Sequence, residues 1–263
     1  MSEIFSQKWG RGPQKGQGAE PALLLHPALA SSDSWRRVAG CLLDDLSMVA
    51  IDLPGHGRGG LWDGQADYHS ACCAAAEPFL GEAVHLIGHS FGGTVALRLA
   101  LRHPDKVRSL TLIEPVLFAA ARGSAAYQQH VAEFQPFFDA MQAGDRARAA
   151  AFFIDMWGGG WAGLTAEQQG YMLQRIDLVA ASAPALEEDN SAMLAEGRLE
   201  SLGVPVLFLQ GSQSPQIITA IGDALAARLP HFQRQQIAGA GHMAPLTHPE
   251  AVAGAIRAFV TQG

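Results

Sequence analysis

His85-Leu-Ile-Gly-His-Ser-Phe-Gly-Gly93 reads as a short apolar strand, a glycine-flanked turn and the opening of a helix. Gly88 and Gly92 flank Ser90 in the pattern Gly-x-Ser-x-Gly. A turn this sharp leaves no room for a Cβ at either flank, and its strain pushes the Ser90 hydroxyl out at the top of the sheet. The helix that follows aims its free amides and the positive end of its dipole at the same spot. A glycine-rich turn with a capping serine is the competing reading. The strand before Ser90 and the helix after it favour a nucleophile.

A serine hydroxyl attacks poorly unless a base removes its proton. The chain has ten histidines. His242, in Ala-Gly-Ala-Gly-His-Met-Ala-Pro (238–245), lies in a flexible turn before the last helix. It is the last candidate in the chain order nucleophile, acid, base expected of such an elbow. His26 and His56 follow strands and read as loop formers, and His89 is expected to point into the sheet. His103, His231 and His248 flank prolines and read as structural. His69, His85 and His130 have no supporting pattern. An oxyanion hole then needs two backbone donors. The amide of Phe91, next to the nucleophile, is one, and the loop His26-Pro27-Ala28 supplies the other, with Ala28 the choice.

Outward from the elbow, short β-leaning runs alternate with helix-length stretches, the pattern of a mostly parallel central sheet flanked by helices. Strands are expected at 21–26, 47–52, 83–88, 107–113, 204–210 and 232–238. Helices are expected over 33–43, Phe91 to Arg102, 217–229 and from Thr247, where Thr247 and Glu250 have capping-box spacing and Pro249 suits the first turn. Between about 118 and 202 no strand is legible, only Ala-rich helical segments broken by Gly158, Gly159, Gly160 and Pro184. A structureless loop of that length is implausible in a compact domain. Residues 118–202 therefore read as a helical lid inserted over the carboxyl ends of the strands, with 1–117 and 203–263 forming the core. Gly10 to Gly18 is glycine-rich but lacks a phosphate-loop ending, and reads as a mobile turn.

With 263 residues, 48% of them hydrophobic, the chain has ample material for one large domain carrying an insertion. Its 25 acidic and 18 basic side chains give a formal charge of -7, which argues against nucleic-acid binding. No run of about 18 apolar residues is present, so no transmembrane helix is expected. The start, MSEIFSQKW, lacks the pattern of a signal peptide. Cys41, Cys72 and Cys73 have no metal-ligand spacing and fit reduced thiols in a cytoplasmic protein.

These motifs together resemble the α/β-hydrolase superfamily in its lid-bearing branch. The matching pieces are His26-Pro27, Asp52-Leu-Pro-Gly-His-Gly57, Gly88-His-Ser-Phe-Gly-Gly93, His103-Pro104 and Gly241-His242, in the family's order and outside 118–202. The resemblance implies an esterase-like acyl transfer with neither cofactor nor metal. Two departures stand out. Pro27 replaces the family's usual glycine; because the donor is the next amide, it stiffens the loop without removing that donor. The family's acid usually follows the strand at 204–210, but here Gly211-Ser-Gln-Ser214 places a serine there, and serine supplies no anion for the imidazolium. Glu114, at the end of the 107–113 strand in Leu-Ile-Glu-Pro, is the replacement expected, as in some dehalogenases that this arrangement resembles. The alternatives are a glutamate that only caps the lid hinge, Asp52, which reads as a loop organiser, or an acid of the lid.

The resulting expectation is a serine hydrolase in which Ser90, His242 and Glu114 act on a small or medium, largely apolar carboxylic ester-like molecule through an acyl-enzyme. C–C bond hydrolysis and cofactor-free perhydrolysis use the same residues. A ligand-binding protein on an impaired hydrolase scaffold is the non-enzymatic rival. Dehalogenases and epoxide hydrolases of this fold carry aspartate where Ser90 stands. The lid's Phe134, Phe137, Phe138, Phe152, Phe153, Met156 and Tyr171 are expected to pack mostly among its own helices. Trp157-Gly-Gly-Gly-Trp161 is the exception, a hinge or tight loop that could set an aromatic wall over the pocket. The lid has no Arg or Lys cluster to hold a charged acyl group. Nothing in the sequence bears on oligomeric state.

Overall fold

A computed structural model describes residues 4–10 and 19–261. Seven strands form one sheet in the order β1-β3-β2-β4-β5-β6-β7. They are β1 (Ser6–Trp9), β2 (Glu20–Leu25), β3 (Leu46–Ile51), β4 (Val84–His89), β5 (Val107–Ile113), β6 (Val206–Gly211) and β7 (Phe232–Ile237). β1 runs antiparallel to β3, and every other pairing is parallel. The helices are α1 (Arg36–Gly40), α2 (Tyr68–Ala76), α3 (Phe91–Arg102), α4 (Ala125–Gln142), α5 (Arg146–Phe153), α6 (Ala166–Leu186), α7 (Gln216–Ala226), α8 (Ala244–Thr247) and α9 (Pro249–Val260).

Parallel strands joined by helical crossovers are covered on both faces, so they carry apolar runs in place of alternation. Leu23 and Leu25 of β2 join Leu86, Leu110, Leu112 and Phe208 in a core beneath α2, α3 and α7. Ala22 and Leu24 face the other way, with Ile87, Leu207 and Leu209, against Val38 of α1 and Val252, Ile256 and Phe259 of α9. The product is a sheet between two helical layers. Burying each such leucine stabilises the fold by roughly 1.5–3 kcal/mol, so the two faces are secured by many small gains of one kind.

Six predicted strands and the helix after Ser90 lie within a residue or two of their expected places. Three details differ. β1 was not expected: Ser6–Trp9 is short and polar, and it is a strand because its backbone pairs with Met48–Ile51. The last helix does not start at Thr247. That residue ends the single turn α8, its hydroxyl donates to the Met243 carbonyl at 3.2 Å, and His248 becomes the N-cap of α9 with Pro249 first inside. Pro184 does not break a helix; it lies within the last turn of α6, which ends two residues later at Leu186. Residues 11–18 of the glycine-rich Gly10 to Gly18 segment lie outside the described residues.

Between β5 and β6 come α4, α5 and α6 with short turns between them, and no strand. Gly159 and Gly160, at φ 92° and 117°, end the helical run of α5 and its following turn at Gly158. Among the described residues no helix is long and apolar enough to cross a membrane.

Candidate active site

The carboxyl ends of β2, β4, β5 and β7 all deliver residues to one place, as parallel α/β sheets do. At the end of β4, Ser90 sits at φ 54° and ψ -119°, a left-handed conformation that is unfavourable for a side-chain-bearing residue by roughly 1–3 kcal/mol. Its amide donates to the Ile113 carbonyl at 2.9 Å, and its carbonyl accepts from the Gly93 amide at 2.9 Å, so the turn is pinned on both sides. The flanking glycines are obligatory. A Cβ on Gly88 would lie 2.3 Å from the Gly92 carbonyl oxygen, and one on Gly92 would lie 2.3 Å from that of Leu25.

His242, in the turn between β7 and α8, places Nε2 at 3.0 Å from Ser90 Oγ. Its Nδ1 is 2.7 Å from Glu114 Oε2. Glu114 follows β5 directly, is fully buried, and takes φ 47°, while its amide donates to the Leu209 carbonyl at 3.0 Å. Its other oxygen, Oε1, accepts the Gly211 amide at 2.6 Å and the Ser214 hydroxyl. Burial pushes this carboxyl up, but the hydrogen bonds from His242, Ser214 and Gly211, with the attraction of His242, outweigh it and hold the group below its ordinary range. With the carboxylate accepting from Nδ1–H, Nε2 is the nitrogen free to accept the Ser90 proton. The serine that stands at 214 thus acts as a donor to the glutamate. Ser90, His242 and Glu114 are brought together; Ser90 and His242 keep 7% of their surface exposed.

Trp157 packs edge-on against His242, with ring centroids 4.7 Å apart. Below it, His89 is buried, its Nε2 donates to the His242 carbonyl at 2.9 Å, and burial lowers its pKa to about 3. Contrary to the expectation that it points into the sheet, His89 supports the backbone of the neighbouring histidine. No local pattern marked that role, since the two residues meet only through the packing of β4 against the β7–α8 turn.

Phe91 and Ala28 line the same cavity as Ser90. Phe91 is the first residue of α3, where an amide has no partner within its helix. In the other loop, the Leu29 amide donates to His56 Nε2 at 2.9 Å and the Ala30 amide to the Pro27 carbonyl at 3.3 Å. His26 Nδ1 donates to the Pro27 carbonyl at 2.8 Å and Nε2 accepts the Leu53 amide at 3.0 Å. His26 and His56 therefore shape loops. Asp52 does the same, accepting the amides of Ser32 and Arg58 at 2.7 and 2.8 Å. His69 bonds Thr94 at 3.1 Å and His85 bonds Ser109 at 2.7 Å, both away from Ser90.

Two adjoining cavities share Ala28, Ser90, Phe153 and Trp157: an inner chamber of about 40 Å³ and an outer cleft of about 440 Å³. The inner walls include Phe118, Phe134, Phe138, Phe153 and Leu186, with Glu187 the one ionisable side chain among them. The aromatic residues of the β5–β6 segment are thus not all internal packing. Phe137 is fully buried among its neighbours, but Phe134, Phe138 and Phe153 also wall the chamber. Helical spacing cannot separate these two fates, because packing and chamber-lining side chains share the one apolar stripe of the helix.

Comparison with known proteins agrees with this architecture. Residues 21–249 match the model of a family described as alpha/beta hydrolase fold. A pimeloyl-[acyl-carrier protein] methyl ester esterase of Neisseria meningitidis is 32% identical over 226 residues, covering 81% of this chain and 82% of that protein. The dihydrolipoyllysine-residue acetyltransferase component of the acetoin cleaving system of Cupriavidus necator is 29% identical over 257 residues. The alignment spans 90% of this chain but 62% of that longer protein, so the chain matches only part of it. Among solved structures, a Bacillus subtilis carboxylesterase superposes with a TM-score of 0.70 at 22% identity, covering 99% of this chain and 93% of that one. A haloalkane dehalogenase variant from Bradyrhizobium elkanii gives 0.74 at 21%, covering 98% and 93%.

Proposed function

We propose that this chain, which belongs to the α/β hydrolase fold family, is a serine hydrolase that cleaves carboxylic esters through an acyl-enzyme. The single observation that carries the reading is the continuous path from Ser90 Oγ through His242 to the buried Glu114, at 3.0 and 2.7 Å. Esterases at 32% identity support an ester as the scissile bond.

Ser90 Oγ attacks the carbonyl carbon while its proton passes to His242 Nε2. Glu114 holds Nδ1–H, keeps the ring in the productive tautomer and stabilises the imidazolium as it forms. The carbonyl oxygen, becoming an oxyanion, takes hydrogen bonds from the Phe91 and Ala28 amides. One such donor is worth about 3–4 kcal/mol in comparable enzymes. His242 then protonates the departing alcohol, and water enters by the same base to release the acid. Trp157, packed edge-on to the base, limits water beside it.

Residues 118–202 act as a helical lid, since this segment supplies most of the chamber wall. The chamber admits a small or medium apolar group beside Ser90. Glu187 disfavours an anionic one there by like-charge repulsion. A fluorophosphonate probe followed by peptide mass analysis tests the core of the reading. Labelling is expected at Ser90 in the wild-type protein and is lost in Ser90→Ala, together with turnover of p-nitrophenyl butyrate. A well-folded wild type that stays unlabelled and inert on short esters would sink the enzyme reading in favour of a binding protein.

A further inference from the structure

A tyrosine of the lid lies between the two loops that shape the oxyanion hole. Tyr171, in the second turn of α6, accepts the Gly57 amide at 2.8 Å and donates its phenolic proton to the Ala30 carbonyl at 3.0 Å. Ala30 belongs to the loop after β2 that holds Ala28, and Gly57 to the loop after β3. Two further ties join the same loops from within the core. The Leu29 amide donates to His56 Nε2 at 2.9 Å, and the Ser32 amide to Asp52 Oδ1 at 2.7 Å.

Leu29 takes φ 57°, a left-handed conformation that a branched side chain keeps only where its surroundings over-determine it. The bond from its own amide to His56 fixes one side of that residue. The bond from Tyr171 to the Ala30 carbonyl holds the chain one residue further on. Of these ties, the Tyr171 pair alone comes from the lid. Ala28 precedes Leu29, so the direction of its amide depends on whether this left-handed turn is held.

We propose that Tyr171 is a positioning residue through which the lid sets the Ala28 amide for the oxyanion. A lid in place completes the oxyanion hole, and a displaced lid leaves it with the Phe91 donor and a loosened second one. The Arg175 guanidinium lies 3.8 Å from the Tyr171 ring centre, and Arg175 Nη1 also donates to the Tyr171 carbonyl at 3.3 Å, which fixes the ring's place on α6. Burial raises the phenol's pKa, so its proton remains available to Ala30 through the neutral range. The proposal rests on the serine-hydrolase reading and adds to it a dependence of chemistry on the lid.

Tyr171→Phe removes the hydroxyl and keeps the ring. Tyr127→Phe, a lid tyrosine that bonds Glu187 and touches neither loop, is the control. For wild type and both variants, the rate constant of fluorophosphonate labelling at Ser90, kcat and KM for p-nitrophenyl butyrate, and the thermal midpoint are measured. In Tyr171→Phe, labelling rate and kcat are expected to fall about tenfold, the value of one well-placed hydrogen bond, while KM changes by less than about twofold. Tyr127→Phe leaves all three kinetic values unchanged. A packing role alone would lower the midpoint without the selective loss in kcat. Wild-type labelling and kcat in Tyr171→Phe overturn the proposal, as does a change confined to KM. An unlabelled wild type removes the serine-hydrolase reading itself, and the proposal with it.

Discussion

Replacing Glu114 by glutamine isolates the electrostatic part of the site, because the two side chains have nearly the same shape. Oε1 of Glu114 accepts from Gly211 and Ser214, and Oε2 faces His242 Nδ1. In Glu114→Gln, the amide oxygen stays where the two donors point, which forces the NH2 group toward His242. Nδ1 must then accept and Nε2 must carry the proton. A protonated Nε2 cannot take the proton of Ser90 Oγ, so the histidine is held in the wrong tautomer at the right distance. The equivalent acid-to-amide change in a serine protease lowers kcat by about 10⁴-fold, which corresponds to about 5.5 kcal/mol of barrier. The assay is initial-rate hydrolysis of p-nitrophenyl butyrate at pH 8, with circular dichroism to verify folding. A folded Glu114→Gln protein with turnover within about tenfold of wild type would refute the argument, because it would show that the tautomer is not set by this contact. Adding Ser214→Asp to Glu114→Gln supplies a carboxylate at the family's usual position. Partial recovery of the lost rate is the expected outcome.

Two further predictions concern folding. Burial lowers the pKa values of His26, His69 and His89 to about 4, 3 and 3, so all three are neutral in the native state at neutral pH. Their stabilising contribution is complete above the unfolded value near 6.5 and is lost as pH falls toward the folded values, because the unfolded chain then binds protons that the native state refuses. Each contributes a slope of about 1.4 kcal/mol per pH unit between roughly pH 6 and 4. Urea midpoints are expected to drop steeply between pH 6.5 and 5, and a flat profile over that range would contradict the burial argument. Gly92→Ala places a Cβ 2.3 Å from the Leu25 carbonyl and 2.5 Å from that of His26, both rigid backbone atoms. It is expected to abolish esterase activity and to lower the thermal midpoint by an amount corresponding to roughly 1–3 kcal/mol of overpacking. An unchanged midpoint would show that the elbow relaxes more freely than its contacts suggest.

The alternation of short apolar runs with helical stretches, and the Gly-x-Ser-x-Gly turn between one such pair, were enough to place the sheet, its helices and Ser90. Both signals are local. A buried parallel strand is an apolar run, and a backbone crossing with no space for a Cβ selects glycine at Gly88 and Gly92 wherever the rest of the chain lies. β1 escaped notice for the opposite reason: its four residues pair through backbone atoms alone, which impose no side-chain pattern.

Other features were settled only when distant segments met. Glu114 could be nominated from its place after β5, but its reach to His242, 128 residues away, depends on how the turn after β7 comes back past β6 to the end of β5. Ser214 looked like a missing acid in the chain and stands in the fold as a hydrogen-bond donor to Glu114. Which phenylalanines between β5 and β6 pack internally and which wall the chamber, and that Tyr171 bridges two loops, follow from how α4, α5 and α6 pack. The sequence by itself determined the elements and the sharp turn at Ser90, because those depend on periodicity and backbone sterics. Tertiary structure alone decided the pairing of Glu114 with His242, the chamber and the bridge, because a hydrogen bond is set by the relative position of two atoms, and sequence spacing does not carry that across more than a hundred residues.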